Sequence, residues 1–335
     1  MTEETTGWGG ALWAAADLAT PMAIRVAATL RLADHIPSGT RTADVLAAAT
    51  GTDPDALRRV LDHLVTAGVL TAADGGYGLT PLGEQLRDDH PGGVRAWLDL
   101  DGSVGRADLC FTQMLHTVRT GEPAFPLMFG RGFWDDLAAD PVREASFDAL
   151  MGGRLTDADA VAAAYPWGGL GHVIDVGGGD GSLLLALLRA HPDLRGTVVD
   201  LPGPAARARQ AIAAAGLTDR ADARAGSFFD PLPTGAGGYV LSGVLHDWDD
   251  ADAARILRRC AEAAGPTGRV LVVDSLDDPG AGTAYTEGDL RMLCYFNGRE
   301  RGVADLADLA ATAGLAVGPV APARTHSVLE LHPAP

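Results

Sequence analysis

The strongest chemical signal in the sequence is a histidine among carboxylates. His246 follows an apolar run, Tyr239–Leu245, that is typical of a buried strand, and Asp247 is its neighbour. A second apolar run ends at Asp274, and Glu300 lies further along the chain. Ligands bind at the carboxyl ends of strands in open α/β sheets, and nearby carboxylates make an imidazole more basic. The pattern predicts a general base that takes a proton from a substrate, whereas a lone histidine is more often structural.

A glycine-rich loop is predicted to bind a second reactant. Residues His172–Val176 form an apolar strand, Gly177–Gly181 has the sequence GGGDG, and Ser182 opens a helical run. The GxGxxG spacing of dinucleotide-binding proteins is absent, and an acid stands where a pyrophosphate would lie. Asp200 ends the next strand, 24 residues after the first one ends, which is the spacing of a ribose-binding acid. Capping of the following helix is the alternative role. Together these features indicate a nucleoside cofactor without phosphates, S-adenosylmethionine.

The composition excludes several classes of chemistry. All 26 Lys and Arg residues are arginines, so a P-loop lysine, a Schiff-base lysine and a lysine general base are excluded. Cys110, Cys260 and Cys294 lie far apart, which indicates buried thiols rather than disulfides or a zinc site. We find no metal-ligand spacing and expect no metal. The net charge of -18 argues against a nucleic-acid partner.

The 335 residues divide into three predicted segments. Residues 168–335 alternate short apolar strands (172–176, 197–200, 239–245 and 269–274) with helices, which predicts an α/β fold with a doubly wound, Rossmann-like parallel sheet. Residues 92–167 are helical and rich in phenylalanine and methionine. This middle segment is either ordinary core or the lining of an apolar acceptor pocket. Residues 1–91 form an N-terminal helical domain.

The N-terminal domain has the pattern of a winged helix. Residues 42–49 predict a helix, Asp53 caps a second helix through Ala67, and a β-ribbon with the tip Asp74-Gly75-Gly76 follows. Residues 42–90 hold eight acidic residues against three arginines, so this module would repel DNA. Residues 8–37 are apolar at helical spacing and need a larger cover than one small domain supplies. We therefore predict a dimerisation domain.

The sequence also bears on location. No apolar run approaches the ~20 residues that a membrane span requires. The first residues, which include Glu3 and Glu4, lack the basic start and apolar core of a signal peptide. We expect a cytoplasmic protein.

Four motifs, in their order and spacing, carry a family resemblance. They are DVGGGDG at 175–181, GSFFDPLP at 226–233, LSGVLHDWDD at 241–250 and GRER at 298–301. They resemble the motifs of plant-type small-molecule O-methyltransferases, and the stretches 20–36, 88–91 and 289–293 resemble a bacterial subgroup that tailors anthracyclines and related aromatic polyketides. The resemblance extends over nearly the whole chain. It implies an S-adenosylmethionine-dependent O-methyltransferase that dimerises through its N-terminal helices and methylates a phenolic hydroxyl of a polycyclic compound.

The resemblance also implies roles for individual residues. His246 matches the catalytic base, and Asp274 and Glu300 match the carboxylates that orient it. The positions that match the cofactor loop, the ribose acid, the adenine-packing aromatics and their neighbours are Gly177, Gly179, Asp200, Leu201, Ser227, Phe228, Ser242 and Trp248. The residues expected to line the acceptor pocket are Trp97, Met114, Phe133, Phe147, Met151, Met292, Phe296 and Asn297.

One position departs from the family pattern, and three other functions stay open. The family has an aspartate for the adenine amine where this chain has Ser227, and a hydroxyl makes a weaker bond than a carboxylate, so we expect weaker cofactor binding. The alternatives are a cofactor-retaining hydroxylase or decarboxylase of the same subgroup, a ligand-sensing winged-helix regulator and a nicotinamide dehydrogenase. The His246 cluster argues against the hydroxylase or decarboxylase. The acidic N-terminal module argues against the regulator, and the GGGDG loop argues against the dehydrogenase.

Overall fold

The computed structural model describes residues 10–37, 41–73, 75–154, 157–276 and 286–334. They fall into two compact units that divide after Leu109. The predicted helical middle, residues 92–167, is thereby shared between the two units, and the predicted boundaries after residues 91 and 167 stay a prediction. The signal-peptide argument concerns residues 1–9, which lie outside the described residues. None of the described helices is both long enough and apolar enough to cross a membrane.

The first unit begins with three helices, α1 (Gly10–Ala16), α2 (Ala19–Thr29) and α3 (Leu32–His35). Helix α2 buries Ala23, Ala27 and Ala28, whereas α1 buries none of its residues. Leu12 is 79% exposed and Trp13 is 59% exposed. The apolar residues at 10–37 lie mainly on helices, as predicted, and none of those on α1 is buried among the described residues. Trp8 and Gly9 of the predicted segment lie outside the described residues.

A winged-helix arrangement follows, as predicted. Helix α4 (Ala43–Thr50) is capped by Thr42, and α5 (Pro54–Thr66) is capped by Asp53, whose Oδ1 accepts the Ala56 amide at 2.8 Å. The antiparallel ribbon consists of β1 (Leu70–Ala73) and β2 (Gly76–Leu79). Asp74, at the predicted ribbon tip, lies outside the described residues. The unit ends with α6 (Val94–Leu98) and α7 (Ser103–Ala107).

The second unit contains a seven-stranded sheet. Its strands are β3 (His172–Val176), β4 (Arg195–Asp200), β5 (Ala221–Ala225), β6 (Gly238–Ser242), β7 (Arg269–Asp274), β8 (Leu315–Ala323) and β9 (His326–Pro333). The order across the sheet is β5-β4-β3-β6-β7-β9-β8. The first five of these are parallel, whereas β9 is antiparallel to both β7 and β8. The doubly wound parallel core is confirmed, and its antiparallel edge was not predicted.

The helices of the second unit lie on both faces of this sheet and ahead of it. The helices before the sheet are α8 (Met114–Thr120), α9 (Ala124–Phe129), α10 (Phe133–Ala138), α11 (Pro141–Arg154) and α12 (Ala158–Ala164). The others are α13 (Ser182–Ala190), α14 (Pro202–Ala214), α15 (Asp250–Ala264), α16 (Thr286–Tyr295) and α17 (Val303–Thr312). Helices α12, α13 and α14 cover one face, and α15 and α17 cover the other. The central strands are buried on both faces, which explains their continuous apolar sequences.

Three strands escaped the sequence analysis for a common reason. β5 has the sequence ADARA and buries only Ala223, so it carries no apolar run. β8 contains two prolines and one glycine and shifts register between Val317 and Val320. Both are edge strands, where prolines and bulges are tolerated because one row of backbone groups has no ladder partner. β9 lies between β7 and β8 and forms an antiparallel hairpin with β8, so it was not predicted once β8 had not been predicted. The three cysteines are buried thiols that form no disulfide, as predicted.

Candidate active site

The sheet brings the predicted site residues to one edge. The neighbouring parallel strands β4, β3, β6 and β7 end at Asp200, Val176, Ser242 and Asp274. Because their carboxyl ends share one edge, residues that follow them in sequence become neighbours. One predicted boundary is wrong here: the strand that precedes His246 ends at Ser242 rather than Leu245. The chain turns at Gly243, whose φ is +62°, and His246 lies in a single 3-10 helical turn, Leu245–Asp247.

Three carboxylates surround the His246 imidazole. Nδ1 donates to Asp274 Oδ1 at 3.1 Å and lies 3.9 Å from Glu300 Oε2. Nε2 lies 3.5 Å from Asp247 Oδ1. Asp274 and Asp247 are buried, and 22% of the His246 side chain is exposed. The structure therefore brings together all four of the residues predicted for catalysis, although Glu300 is 54 positions from His246.

This arrangement shifts the acid–base behaviour of the group. Burial favours the neutral imidazole, but the charges of Asp274, Asp247 and Glu300 outweigh it and raise the pKa of His246 to about 10. Burial also raises the pKa of Asp247 to about 7, against the pull of the imidazolium. Burial would raise the pKa of Asp274 as well, but the facing His246 holds it below its usual range. The cluster is thus a strong base whose protonated form is stabilised chiefly by Asp274.

The glycine-rich loop and Asp200 form one hydrogen-bonded unit. Gly179 donates its amide to Asp200 Oδ2 at 2.8 Å, and Leu201 donates to Oδ1 at 2.6 Å. Gly179 has a φ of +58° and open space on its Cβ side, so the backbone conformation is what requires glycine there. Leu201, 47% exposed, is the N-cap residue of α14, and its apolar side chain caps no amide. Asp200 precedes this position and accepts the Leu201 amide, so both its ribose role and its role at the helix start stay predictions.

Aromatic side chains flank this loop, as the resemblance implied. A Cβ on Gly177 would lie 2.9 Å from Val244 Cγ2 and 3.4 Å from Phe228 Cε1, so the loop packs closely on that ring. The ring of Trp248 meets Phe228 edge-on at 5.6 Å between centroids. Ser227 Oγ accepts the Phe229 amide at 3.2 Å. Ser242 lies at the end of β6, half-buried, on the same edge of the sheet. The predicted cofactor residues thus lie on consecutive elements of this edge.

Asp175 is a further candidate for a functional role. It opens the DVGGGDG motif, and the sequence analysis gave it no role. It is 1% exposed at the end of β3, and neither carboxylate oxygen has a hydrogen-bond partner of normal geometry among the described residues. Burial, with the charges of Asp200 and Asp180, raises its pKa to about 7. A carboxylate inside an apolar strand was the available sequence signal, because acids are rarely buried without a partner.

These residues fit S-adenosylmethionine. The cofactor carries a sulfonium and an ammonium group, and the loop edge offers the carboxylate of Asp200, with the buried carboxyl of Asp175 against Gly178 of the loop. Burial raises the pKa of Asp200, although its two amide partners oppose this, so a cation at this edge would relieve the cost of the charge. At Gly177 the close approach of Val244 and Phe228 admits no side chain, so bare backbone lines this edge.

The predicted acceptor-pocket residues are only partly gathered. The centroid of the Phe133 ring lies 5.5 Å from that of Phe147 and 4.7 Å from that of Phe296. Trp134, which was not among the predicted pocket residues, stacks on Phe296 with 5.3 Å between centroids. Phe133 is 3% exposed, which fits the ordinary-core interpretation as well. The remaining predicted residues lie on helices and their ends: Met114 on α8, Met151 on α11, Met292 on α16, Asn297 with a φ of +68° just after α16, and Trp97 on α6 of the first unit.

The site also bears on the expectation of no metal. Sequence spacing showed no metal-ligand cluster, yet the ligand atoms of His246, Asp274 and Glu300 lie within 4.8 Å of one another. Spacing missed this group because its members come from three separate elements. Nδ1 of His246 is already engaged by Asp274. That the reaction needs no metal stays a prediction.

Comparisons with known proteins agree with this geometry. A family model described as the O-methyltransferase domain matches residues 111–316, and one described as the O-methyltransferase dimerisation domain matches residues 13–88. A 2,7-dihydroxy-5-methyl-1-naphthoate 7-O-methyltransferase from Streptomyces carzinostaticus is 57% identical and covers 96% of both chains. Aclacinomycin 10-hydroxylase RdmB from Streptomyces purpurascens is 50% identical over 90% of this chain and 82% of its own.

A solved structure gives the same result in three dimensions. The O-methyltransferase NcsB1 from neocarzinostatin biosynthesis, in complex with S-adenosylmethionine and 2-hydroxy-5-methyl naphthoic acid, superposes with a TM-score of 0.93. It is 56% identical and covers 98% of this chain and 100% of that chain. The chain therefore belongs to the S-adenosylmethionine-dependent O-methyltransferases that join a Rossmann-like catalytic domain to an N-terminal dimerisation domain.

Proposed function

We propose that this enzyme methylates a phenolic hydroxyl of a polycyclic aromatic compound and that His246 is its general base. The observation that carries the proposal is the imidazole held by Asp274 at the carboxyl edge of the sheet, next to the glycine-rich loop. When bound, S-adenosylmethionine supplies an electrophilic methyl group on its sulfonium. What remains for the protein is to orient the acceptor and to remove its proton.

The hydrogen bonding of His246 selects the nitrogen that takes the proton. Nδ1 donates to Asp274, so the neutral ring carries its hydrogen on Nδ1 and presents a lone pair at Nε2. The phenolic proton moves to Nε2, and the resulting imidazolium is stabilised by the carboxylates of Asp274 and Glu300. The freed oxygen forms the new O–CH₃ bond as the S–CH₃ bond breaks, and S-adenosylhomocysteine leaves as a neutral sulfide. Atoms and charge balance without another reactant.

The raised basicity of His246 removes the main energetic obstacle. An ordinary imidazole and an ordinary phenol differ by ~3.5 pKa units, or ~4.8 kcal/mol against proton transfer. A pKa of about 10 for His246 brings the two groups level. Orienting the oxygen and the methyl group supplies roughly 7–11 kcal/mol more. The cost is that a base of this strength is mostly protonated at neutral pH, and the cationic cofactor lowers that cost because it disfavours the imidazolium.

The remaining site residues divide between the two reactants. Asp200 is proposed to bind the ribose hydroxyls, with Gly177 and Gly179 forming the floor of the cofactor site and Leu201 and Ser242 bordering it. Phe228 and Trp248 pack on the adenine, and the Ser227 hydroxyl oxygen accepts a hydrogen bond from the adenine amino group. Support comes from the contacts among the loop, Asp200 and these rings. Asp247 contributes negative charge beside Nε2.

An aromatic acceptor with fused rings is supported from two directions. The cluster of Phe133, Trp134, Phe147 and Phe296 offers flat apolar surfaces beside the segment that carries Glu300. Of the relatives named above, one is named for a naphthoate substrate, and the solved structure is in complex with a naphthoic acid. We propose that the same pocket includes Met114, Met151, Met292 and Asn297.

We further propose that the enzyme is a cytoplasmic homodimer without a nucleic-acid partner. The uncovered apolar side chains of α1, Leu12 and Trp13, supply the surface that a second copy would cover. The dimerisation-domain match to residues 13–88 supports the same assignment for the acidic winged helix. The cofactor is an intracellular metabolite, which favours the cytoplasm.

A second function is favoured by one comparison. RdmB, at 50% identity, is named as a hydroxylase, so this scaffold also supports a reaction other than methyl transfer. The intact His246 cluster favours methylation, because a base is needed where a phenol must be ionised. Incubation with methyl-labelled cofactor and a panel of hydroxynaphthoates and hydroxyanthraquinones separates the two. We expect label in the product; an oxygenated product without label would instead establish the hydroxylase.

A further inference from the structure

The best-buried arginine of the second unit lies against the turn that carries His246. The side chain of Arg301 is only 2% exposed. Arginine is almost never so buried unless its charge and donors are satisfied. Here Nη1 donates to the Leu245 carbonyl at 2.6 Å, and Nη2 donates to the Trp248 carbonyl at 2.8 Å. These carbonyls belong to the residues immediately before His246 and immediately after Asp247. One guanidinium therefore binds the His246 turn at both of its ends.

The Arg301 guanidinium also connects the His246 turn to helix α15. Nε and Nη2 of Arg301 donate to Asp250 Oδ1 at 3.2 and 2.8 Å, and Asp250 is the first residue of α15. The fork of planar donors suits this set of three partners, which a lysine ammonium would not match. Arg301 therefore fixes the His246 turn relative to a long, rigid element.

The segment that contains Arg301 also contains Glu300, and its backbone packs directly against the His246 turn. The Arg299 amide donates to the His246 carbonyl at 2.9 Å. A Cβ on Gly298 would lie 2.0 Å from that carbonyl oxygen, so only glycine permits the approach. The positions of His246 and of the Glu300 carboxylate are thus set by adjacent residues of one strap, which we define as residues 298–301.

We propose that Arg301 is a positioning residue: it holds the His246 turn so that Nδ1 stays beside Asp274 and Glu300 and the imidazole faces the acceptor. It acts through His246 and touches neither reactant. The inference rests on the proposed role of His246 as general base. A misplacement of about 1 Å at a reacting group can lower a rate by about a hundredfold, which sets the size of the expected effect.

The test is a double-mutant cycle between Arg301→Met and His246→Ala. Methionine keeps much of the buried stem and removes all three donors. We expect Arg301→Met to lower kcat by ten- to a hundredfold in the parent enzyme and by less than threefold in the His246→Ala enzyme, because the function that it supports is already gone. The loss in the parent should also shrink towards pH 10, where phenolate forms without a base. Loss of folding stability alone would lower the apparent kcat per total enzyme through the folded fraction, in both backgrounds, and would leave kcat per folded enzyme unchanged.

Two further variants keep the test decisive. Arg269→Met is the matched control, since the Arg269 side chain is partly exposed and pairs with Glu330 at the first residue of β7, the opposite end of that strand from Asp274. It should leave kcat unchanged. If Arg301→Met does not fold, Asp250→Ala removes the carboxylate partner of Arg301 from an exposed position and should lower kcat three- to tenfold in the parent only. Equal losses in both backgrounds, or no loss in the parent, would overturn the positioning role. An unimpaired His246→Ala enzyme would instead overturn the proposed general base.

Discussion

Replacing Asp274 by asparagine should separate the electrostatic contribution of the site from its geometry. Asparagine has nearly the same shape, and its side-chain oxygen can still accept the Nδ1–H of His246, so the ring keeps its orientation. The negative charge 3.1 Å from Nδ1 is lost. At an effective dielectric constant of about 20, two unit charges at that distance interact by about 5 kcal/mol, or about 4 pKa units. Measured effects of a single opposite charge are about 1–3 units.

The sign follows from the direction of the shift. Asp274 stabilises the protonated imidazole and is the first of the charges that raise the pKa of His246 to about 10. Its removal should lower that pKa by about 1–3 units. The acid limb of the kcat/KM–pH profile reports deprotonation of the free enzyme's base, so it should move to lower pH by the same amount. The plateau rate should fall, because the imidazole is then a weaker base.

The assay is a pH–rate profile of parent and Asp274→Asn enzymes on one phenolic acceptor, so that the pKa of the acceptor is common to both. Asp252→Asn is a suitable control, because Asp252 lies on the outer side of α15 and pairs with Arg255. Its profile should coincide with that of the parent. An acid limb that stays in place, or that moves to higher pH, in the Asp274→Asn enzyme would refute the electrostatic account of His246.

Three other predictions concern the base, the cofactor and the assembly. His246→Ala should lower kcat by ~10²–10⁴, with a loss that shrinks towards pH 10 as free phenolate forms; parallel profiles would reduce His246 to a positioning group. Asp200→Ala should raise the dissociation constant of S-adenosylhomocysteine about a hundredfold by calorimetry, from the loss of about 3 kcal/mol of charge-assisted hydrogen bonding; unchanged binding would remove Asp200 from the site. Deletion of residues 8–37 should give a monomeric or aggregating protein by light scattering, and a stable, active monomer would contradict the homodimer.

The sequence by itself determined the features that depend on neighbouring residues. The central strands have continuous apolar runs because both faces are covered, and the strand 269–274 was predicted with its observed bounds. The N-cap bonds of Thr42 and Asp53 connect residues three positions apart, so the winged-helix start points were visible as well. The glycine loop, Asp200 and His246 were marked by their places after strands.

Tertiary structure decided what depends on pairing between distant segments. The edge strand β5 lacks an apolar run, the edge strand β8 is interrupted by two prolines and a glycine, and pairing with their partners defines both as strands. The strand before His246 was predicted three residues too long, because the apolar residues Val244 and Leu245 continue into a turn that packs in the core.

The charge environment of the base was decided in the same way. Asp274 and Glu300 lie 28 and 54 positions from His246, and no periodicity along the chain relates them. Parallel strand order brings Asp274 beside the turn, and the close approach of Gly298 brings the strap with Glu300 and Arg301. Electrostatic interactions act through space and vary with distance and burial. The sequence could therefore identify the base, whereas its strength and its support follow from the folded arrangement.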